Sequence, residues 1–246
     1  MTAKERADRL LVARRLFESR ARAQAAIAAG RVTADGVVVR KSSDEISAAA
    51  VIAAAPEHPY VSRGGVKLAA ALDHFALAVG GRDCLDVGAS TGGFTEVLLG
   101  RGAKCVYAVD VGTGQLHPRL RDRNGVVAIE QTDIRKLDPS RLAQQPDFAA
   151  IDVSFISLKL VLPAVGNLLA PRATILALIK PQFEAGQGNR RAIKKGVVRD
   201  EAVRRAICDD IAAFATSLGW RVGGVVASAI RGGDGNREFF IAAERG

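Results

Sequence analysis

The stretch Leu85-Asp86-Val87-Gly88-Ala89-Ser90-Thr91-Gly92-Gly93-Phe94 decides the fold of this chain. It predicts a buried strand that ends at an acidic residue, a turn of small residues, and a helix from Phe94 to about Gly102. Glycines in such a turn let backbone N–H groups approach a ligand closely, because no Cβ stands in the way. Doubly wound sheets bind nucleotides at the carboxyl ends of their strands. The stretch therefore predicts a ligand site at the end of this strand.

The glycine spacing bears on the kind of ligand. Gly88, Gly92 and Gly93 do not form G-x-G-x-x-G, and no basic residue follows as in a P-loop, so a pyrophosphate cradle is not favoured. An acidic strand end followed by small residues suits a ligand with an amino-acid part and a nucleoside part, which S-adenosylmethionine has. The alternative is a glycine-rich turn between a strand and a helix that binds nothing.

Strands and helices alternate from residue 61 onward. This alternation is typical of a mostly parallel sheet with helices on both faces, so an α/β fold with a Rossmann-like sheet is predicted. The predicted strands are Cys84–Val87, Cys105–Val111, Val126–Glu130, Phe148–Val153, Thr174–Ile179, Val222–Ala227 and Glu238–Ala243. A chain of 246 residues can hold this domain and a small additional one.

Three acidic residues fall at successive strand ends, namely Asp86, Asp110 and Asp133. Asp110 lies 24 residues after Asp86, near the spacing at which nucleotide-binding α/β folds place a carboxylate on ribose hydroxyls. Asp133 and Ile134 are then placed to contact an adenine. Three unrelated turns are the alternative to one nucleoside pocket. The predicted cofactor-binding residues are Asp86, Gly88, Ser90, Thr91, Gly92, Gly93, Phe94, Asp110, Val111, Asp133 and Ile134.

Four charged residues near strand ends are the candidates for catalysis, namely Lys67, Asp152, Lys180 and Glu238. Asp152 and Lys180 each end a strongly apolar strand, and because an unpaired charge is costly to bury, each is expected to have a partner. Two lysines and two carboxylates that converge can prepare one lysine to act as a general base, which suits a ribose 2′-hydroxyl. Separate structural salt bridges are the alternative.

The charge of the chain indicates a polyanionic partner, since the net charge is +9 and the isoelectric point is near 9.9. Nucleic acid is the first candidate and a membrane surface the second. Residues 1–41 contain ten lysines and arginines against four acidic residues. Two prolines and an alanine-rich stretch in residues 42–60 are typical of a linker. We therefore predict a basic module with its linker in residues 1–59 and a second domain in residues 60–246.

Two short helices that carry arginines, followed by a hairpin, are predicted in the first domain. Ser19 suits the N-cap of the second helix, and Gly30 would end it. The predicted elements are helices over Arg6 to Leu16 and Arg20 to Ala29, and a hairpin over Val32 to Val39. This pattern resembles the small RNA-binding module shared by the fourth small-subunit ribosomal protein, many pseudouridine synthases and tyrosyl-tRNA synthetases. Arg14-Arg15 departs from it, because glycine is frequent at that turn.

The resemblance to this module implies that the arginine-bearing helix face contacts RNA phosphates. A basic, solvated pair of helices is the alternative. In the second domain, Phe155 is placed to stack on a base pulled out of the RNA. The predicted RNA-binding residues are Arg6, Arg9, Ser19, Arg20, Arg22, Lys41, Arg63 and Phe155.

Other classes of protein are not favoured by the composition. No apolar run approaches the roughly 20 residues of a membrane span. The charged N-terminus lacks the core of a signal peptide, so a cytoplasmic location is expected. Three cysteines without a Cys-x-x-Cys spacing are expected to be reduced. Three scattered histidines give little reason to expect a metal.

Five sequence blocks together resemble the TlyA/haemolysin A family. They are Val61–Leu68, Leu85–Phe94, Tyr107–Leu116, Asp152–Leu158 and Lys180–Glu184. The family joins the small RNA-binding module to an FtsJ-like, class I methyltransferase domain, and the resemblance implies S-adenosylmethionine-dependent 2′-O-methylation of ribosomal RNA. It also implies a Lys-Asp-Lys-Glu tetrad at Lys67, Asp152, Lys180 and Glu238, with Lys180 as the base. The chain departs from the family at Ala229 and Gly233, where proline is usual.

Three competing functions remain at this point. A base methyltransferase is not favoured, because the chain has no Asn/Asp-Pro-Pro-Tyr block and no Pro-Cys nucleophile. A non-catalytic RNA-binding or ribosome-assembly protein would need the basic module but not both lysines and Glu238. A membrane-active haemolysin would need an apolar span or a strongly amphipathic face, which the sequence does not offer.

Overall fold

The computed structural model describes residues 3–185, 193–194 and 196–246. The chain divides into two compact units, residues 1–59 and residues 60–246. The elements of the first unit are β1 (Lys4–Arg6), α1 (Ala7–Ala13), α2 (Arg20–Ala28), β2 (Val32–Ala34), β3 (Val37–Val38), β4 (Glu45–Ser47) and β5 (Ile52–Ala54). No helix in the described part of the chain is long and apolar enough to cross a membrane.

Local sequence explains most of the first unit. The Ser19 hydroxyl accepts a hydrogen bond from the Arg22 backbone N–H, which starts α2, and Gly30 follows the helix with a φ of 68°. Asp35 and Gly36 have φ values of 49° and 80°, as the turn of a two-residue hairpin requires, and this turn joins β2 to β3. The hairpin and the N-cap are as predicted.

The first helix is shorter than predicted, since α1 ends at Ala13 rather than Leu16. Arg15 adopts a left-handed φ of 58°, which turns the chain. The guanidinium group of Arg14 donates hydrogen bonds to the carbonyl oxygens of Ala48 and Ala50. The two arginines therefore replace the expected glycine by anchoring the turn to the segment after β4.

A seven-stranded sheet forms the centre of the second unit. Its strands are β6 (Asp83–Val87), β7 (Cys105–Val109), β8 (Val126–Ile129), β9 (Phe148–Ile151), β10 (Ala173–Ile179), β13 (Arg221–Ala227) and β14 (Phe239–Arg245). A two-stranded hairpin of β11 (Ile193–Lys194) and β12 (Val197–Val198) lies outside the sheet. The order in the sheet is β13-β14-β10-β9-β6-β7-β8. The five strands from β10 to β8 are parallel, and β14 is antiparallel to both of its neighbours.

Helices cover both faces of this sheet. They are α3 (Arg63–His74), α4 (Gly93–Gly100), α5 (Pro118–Arg121), α6 (Leu158–Leu168), α7 (Pro181–Glu184) and α8 (Glu201–Ser217). One core cluster contains residues of α6 and α8, and the other contains residues of α3 and α4. Because successive strand residues point to opposite faces, Leu85 joins the first cluster and Cys84 the second. The predicted mostly parallel α/β fold is confirmed. The strand order reverses between β6 and β9, because β7 and β8 follow on one side of β6 while β9 and β10 follow on the other. Such sheets bind ligands at this kind of position.

Candidate active site

Two adjacent cavities lie at the carboxyl ends of β6, β7 and β9. They share Gly88, Ser90 and Asp152 in their walls. The larger, which we call the aspartate cavity, has a volume of about 500 Å³ and is also lined by Asp110, Val111, Asp133, Ile134 and Phe155. The smaller, which we call the lysine cavity, has a volume of about 390 Å³ and is also lined by Arg63, Lys67, Thr91, Gly93 and Phe94. The structure thus brings most of the predicted cofactor residues to one place.

The glycine turn packs against its own chain more closely than the sequence suggests. Gly88 and Gly92 have φ values of 84° and 92°, which favour glycine. A Cβ atom at Gly88 would overlap the carbonyl oxygen of Asp152, and one at Gly93 would overlap the hydroxyl of Ser62. These glycines were expected because a ligand approaches the turn. Close contact between neighbouring segments of the chain is therefore a second reason for them.

Asp86 lies beneath this turn and lines neither cavity. Its side chain has no exposed surface, and its Oδ2 accepts a hydrogen bond from the Thr95 hydroxyl at 2.5 Å. Among the described residues, its other oxygen has no hydrogen-bond partner. Burial raises the pKa of Asp86 to about 7, opposed by Thr95 and assisted by the charge of Asp152. Asp86 therefore supports the turn from below and does not face the cavities.

The other two predicted acids face the aspartate cavity. Asp110 accepts hydrogen bonds from the backbone N–H groups of Ser90 at 2.8 Å and Gly112 at 2.7 Å, so its carboxylate is fixed. Asp133 forms an ion pair with Arg135 at 2.5 Å. Hydrogen bonds from Arg135 lower the pKa of Asp133 to about 2. Both carboxylates therefore lie at the wall of the aspartate cavity, held by hydrogen-bond donors of the chain.

The four predicted catalytic residues form two ion pairs. Lys67 Nζ lies 2.6 Å from Glu238 Oε2, and Lys180 Nζ lies 2.6 Å from Asp152 Oδ1. All four side chains are largely buried, with exposed fractions between 3% and 19%. Lys67 and Asp152 line the same lysine cavity, so one member of each pair faces a common space.

Two residues near these pairs were not predicted. Lys180 Nζ donates a hydrogen bond to the Ser154 hydroxyl at 2.8 Å. The carboxylate of Glu184 accepts hydrogen bonds from the Ser157 hydroxyl and the Leu158 backbone N–H, which fixes the start of α6. Both lie inside sequence blocks that had already been singled out, but their partners are 26 or 27 positions away, and spacing alone does not reveal such contacts.

Phe155 stands at the rim of the aspartate cavity, where it is 89% exposed. Its φ is 63°, a strained value for a large side chain. Its ring lies 4.9 Å from that of Phe183. An exposed aromatic ring held in a strained conformation beside a cavity is available to stack on a planar group.

Asp8, which was not predicted as a site residue, forms ion pairs with two of the predicted RNA-binding arginines of the first unit, Arg6 and Arg20. Asp8 has no exposed surface and lies 3.2 Å from Arg6 and 2.8 Å from Arg20, while these two arginines are 40% and 50% exposed. Gln24 also donates to it, at 2.8 Å. Hydrogen bonds from Arg6 and Arg20 hold the pKa of Asp8 well below its usual range. The feature of the sequence that could have identified Asp8 is its position two residues after Arg6.

The remaining RNA-binding candidates have varied surroundings. Arg9 and Lys41 are exposed, and Arg22 lies 3.9 Å from Glu18. The hydroxyl of Ser19 is engaged as the N-cap described above. Arg63, in the second unit, donates to the carbonyl oxygen of Arg231 at 2.6 Å and lines the lysine cavity.

A metal site finds no support in the described residues, where no group of three or more His, Cys, Asp or Glu side chains could hold an ion. The three cysteines are free thiols.

Comparison with known proteins gives the family. Residues 60–245 match the FtsJ-like methyltransferase model, and residues 5–52 match the S4 domain model. The chain is 45% identical over 243 residues to the 16S/23S rRNA (cytidine-2'-O)-methyltransferase TlyA of Mycobacterium tuberculosis, which covers 98% of this chain and 90% of that protein. The chain belongs to the TlyA family of FtsJ-like methyltransferases. The family resemblance stated from the sequence is confirmed.

Two further relatives of this TlyA-family methyltransferase carry another name. Hemolysin A of Brachyspira hyodysenteriae is 39% identical, and the match covers 90% of this chain and 92% of that protein. A solved structure from Streptococcus thermophilus, provisionally described as a hemolysin, is 42% identical with a TM-score of 0.77 and covers 100% of this chain and 90% of its own. The two-domain arrangement is thus shared by proteins with different names.

Proposed function

We propose that this chain is an S-adenosylmethionine-dependent ribosomal RNA methyltransferase that modifies a ribose 2′-hydroxyl. The observation that carries the proposal is the pair of buried ion pairs, Lys67–Glu238 and Asp152–Lys180, which meet at the lysine cavity. A protein that only binds RNA has no use for two buried lysines beside a ligand cavity. The similarity to the M. tuberculosis rRNA (cytidine-2'-O)-methyltransferase supports the same reaction class.

The cavities suit S-adenosylmethionine. A volume of about 500 Å³ lies within the range of small-molecule sites, about 300–1,000 Å³. Asp110, fixed by two backbone N–H groups, offers acceptors for ribose hydroxyls, and Ile134 offers an apolar surface for a base. When bound, this cofactor supplies a methyl group made electrophilic by a positive sulfur.

The side chains of this chain would handle the acceptor hydroxyl. Lys180 takes the proton of the 2′-hydroxyl as general base, once it has lost its own proton to solvent. Asp152 and Ser154 hold the Lys180 amine in place, and Lys67 with Glu238 fixes the hydroxyl from the other side. Holding the acceptor oxygen in line for transfer supplies much of the rate.

The S4 domain and the exposed arginines of the first unit support an RNA partner. Arg6 and Arg20, oriented by Asp8, present guanidinium groups that suit phosphates. Phe155 is placed to stack on a base removed from its helix. Ribosomal RNA or a ribosomal subunit is the proposed substrate, with no metal ion and no membrane partner.

Mass spectrometry of nucleosides tests the reaction. Ribosomal subunits from a strain lacking the gene are incubated with the chain and labelled cofactor, and a labelled 2′-O-methylnucleoside is expected. A labelled base would contradict the proposal, and RNA binding without transfer would favour a ribosome-assembly role. Leakage of protein-free liposomes at low protein concentration, without methyl transfer, would favour the membrane-active function that the name hemolysin suggests.

A lysine substitution tests the role of Lys180. Lys180→Ala should reduce methyl transfer by at least about 100-fold and leave the cofactor Kd within about threefold, because only the proton acceptor is lost. Lys159→Ala is the matched control, since Lys159 is also ion-paired, to Asp210 at 2.6 Å, but Asp210 lines neither cavity, whereas Asp152, the partner of Lys180, lines both. Full activity of Lys180→Ala would refute the assignment.

A further inference from the structure

The turn of residues 232–236, which precedes Glu238, is closed by hydrogen bonds within itself. The backbone N–H of Gly232 donates to the carbonyl oxygen of Asn236 at 2.9 Å, and that of Gly235 donates to the carbonyl oxygen of Gly232 at 3.0 Å. The backbone N–H of Ser228 donates to the carbonyl oxygen of Glu238 at 2.8 Å. The turn therefore has a defined geometry directly before a proposed catalytic residue.

The side chain of Asn236 ties this turn to the hairpin of β11 and β12. It has no exposed surface. Its Oδ1 accepts a hydrogen bond from the Val198 backbone N–H at 3.1 Å, and its Nδ2 donates to the Gly196 carbonyl oxygen at 2.9 Å. A buried amide is costly unless it is hydrogen-bonded, so these two contacts hold the turn firmly.

The hairpin in turn reaches the other ion pair. Strand β12 packs against α7, and α7 begins at Pro181, directly after Lys180. A continuous path therefore runs from Lys180 through α7, β12 and Asn236 to Glu238, and from Glu238 to Lys67. The two ion pairs are connected through the protein as well as across the lysine cavity.

Gly232 leaves room for the carboxylate of Glu238. A Cβ atom at Gly232 would lie 2.5 Å from Glu238 Oε1 and 3.0 Å from its Cδ, so a side chain there would require movement. The other oxygen, Oε2, holds Lys67 at 2.6 Å. The Glu238 carboxylate that pairs with Lys67 therefore occupies space that a side chain at position 232 would take.

We propose that Gly232 and Asn236 are positioning residues, which hold the Glu238 carboxylate against Lys67 and keep this ion pair in register with Asp152–Lys180. The proposal rests on the proposed function, because the register matters only if both pairs serve one reaction. A displacement of about 1 Å at such a site can cost about 100-fold in rate.

Two adjacent glycines provide a matched test. A Cβ atom at Gly233 would meet nothing within 4 Å, whereas one at Gly232 would strike Glu238. We expect Gly232→Ala to lower the single-turnover rate of methyl transfer to ribosomal subunits by at least about tenfold, with the cofactor Kd within about twofold. Gly233→Ala should match the wild type in both measurements. Equal rates for the two variants would overturn the proposal.

Two further variants separate positioning from loss of structure. In a Glu238→Ala background, Gly232→Ala should cause no additional loss, because the side chain that it displaces is absent. Asn236→Ala loses both contacts to the hairpin and should lower the rate of methyl transfer, with the cofactor Kd within about twofold. Additive losses with Glu238→Ala, or wild-type activity of Asn236→Ala, would contradict the proposal. Absence of methyl transfer by the wild type would instead refute the proposed function.

Discussion

Asp8 and Asp86 are carboxylic acids in different units of the chain, and both lack exposed surface. Asp8 is surrounded by Arg6, Arg20 and Gln24, and its pKa lies well below the usual range because the arginines donate hydrogen bonds to it. Asp86 has only Thr95 as a hydrogen-bonding partner among the described residues, and burial raises its pKa to about 7.

The difference shows that burial raises the pKa of a carboxyl group unless partners that donate hydrogen bonds to it offset the effect. The ionised Asp8 orients two exposed arginines on a surface proposed to bind RNA. Asp86 lies beneath the turn between two ligand cavities, near the negative charges of Asp152 and Asp110. No ion pair joins Asp86 to a cation among the described residues, and its burial together with the charges of Asp152 and Asp110 disfavours the ionised form.

The largest expected effect comes from removing Asp8. Asp8→Ala leaves Arg6, Arg20 and Gln24 without their acceptor. We expect the free energy of unfolding of the first unit to fall by about 2–3 kcal/mol, which is less than the cost of breaking a fully buried ion pair because the arginines keep solvent contact. Hydrogen exchange of the backbone N–H groups in α1 and α2 measures this loss. RNA affinity should fall although the net charge becomes more positive.

Glu5→Ala is the matched control for Asp8→Ala. It changes the net charge equally, and Glu5 is exposed. The hydrogen-exchange rates of the Glu5→Ala variant should equal those of the wild type, and its affinity for RNA should be unchanged or slightly higher. If Asp8→Ala gave the same results as Glu5→Ala, the orientation of Arg6 and Arg20 would not depend on Asp8.

Asp86→Asn is expected to have a smaller and pH-dependent effect. Because the pKa is raised to about 7 in the folded state, against about 3.9 in an unfolded chain, the folded state binds more protons between these values. The carboxyl group of Asp86 therefore makes the wild type less stable as pH rises from about 4 to about 7. The variant should lack this pH-dependent loss. Between pH 4.5 and pH 8, its free energy of unfolding should therefore rise by at least about 1 kcal/mol relative to that of the wild type.

Urea unfolding of the second unit at the two pH values measures this difference. Asp122→Asn, at an exposed carboxyl group, is the control and should show the wild-type pH dependence. The reverse sign, with the variant losing stability as pH rises, would mean that Asp86 is ionised and stabilised in the fold.

The sequence predicts much of the fold because apolar strands alternate with helices. All seven predicted strands of the central sheet are present, although β7 and β9 end two residues earlier than predicted. It does not predict β1, since Lys4-Glu5-Arg6 has no strand pattern and becomes a strand by pairing with Glu45–Ser47. Long-range pairing of this kind overrides local preference.

The sequence predicts which residues belong to the candidate site, but it does not predict which of them contact each other. Asp152, Lys180 and Glu238 could be named from their positions at strand ends and from the family resemblance. Lys67 was also expected near a strand end, but it lies inside α3, so only the resemblance identified it. That Lys67 pairs with Glu238 across 171 positions, and Lys180 with Asp152, depends on how the chain folds back. The same limit applies to Asp8, because two of its three partners come from α2, 12 and 16 positions away.

The smallest expected effect comes from removing one arginine of the Asp8 cluster. Arg6→Ala or Arg20→Ala alone should lower the free energy of unfolding of the first unit only slightly, since the other arginine and Gln24 still donate to Asp8 and both arginines are partly exposed. The double variant should lower it by more than the sum of the two single changes, because Asp8 then has no cation. Hydrogen exchange in α1 and α2 of the four proteins measures this coupling. Strict additivity would mean that the two arginines act independently, and Asp8 would then resemble Asp86 in lacking a shared set of partners.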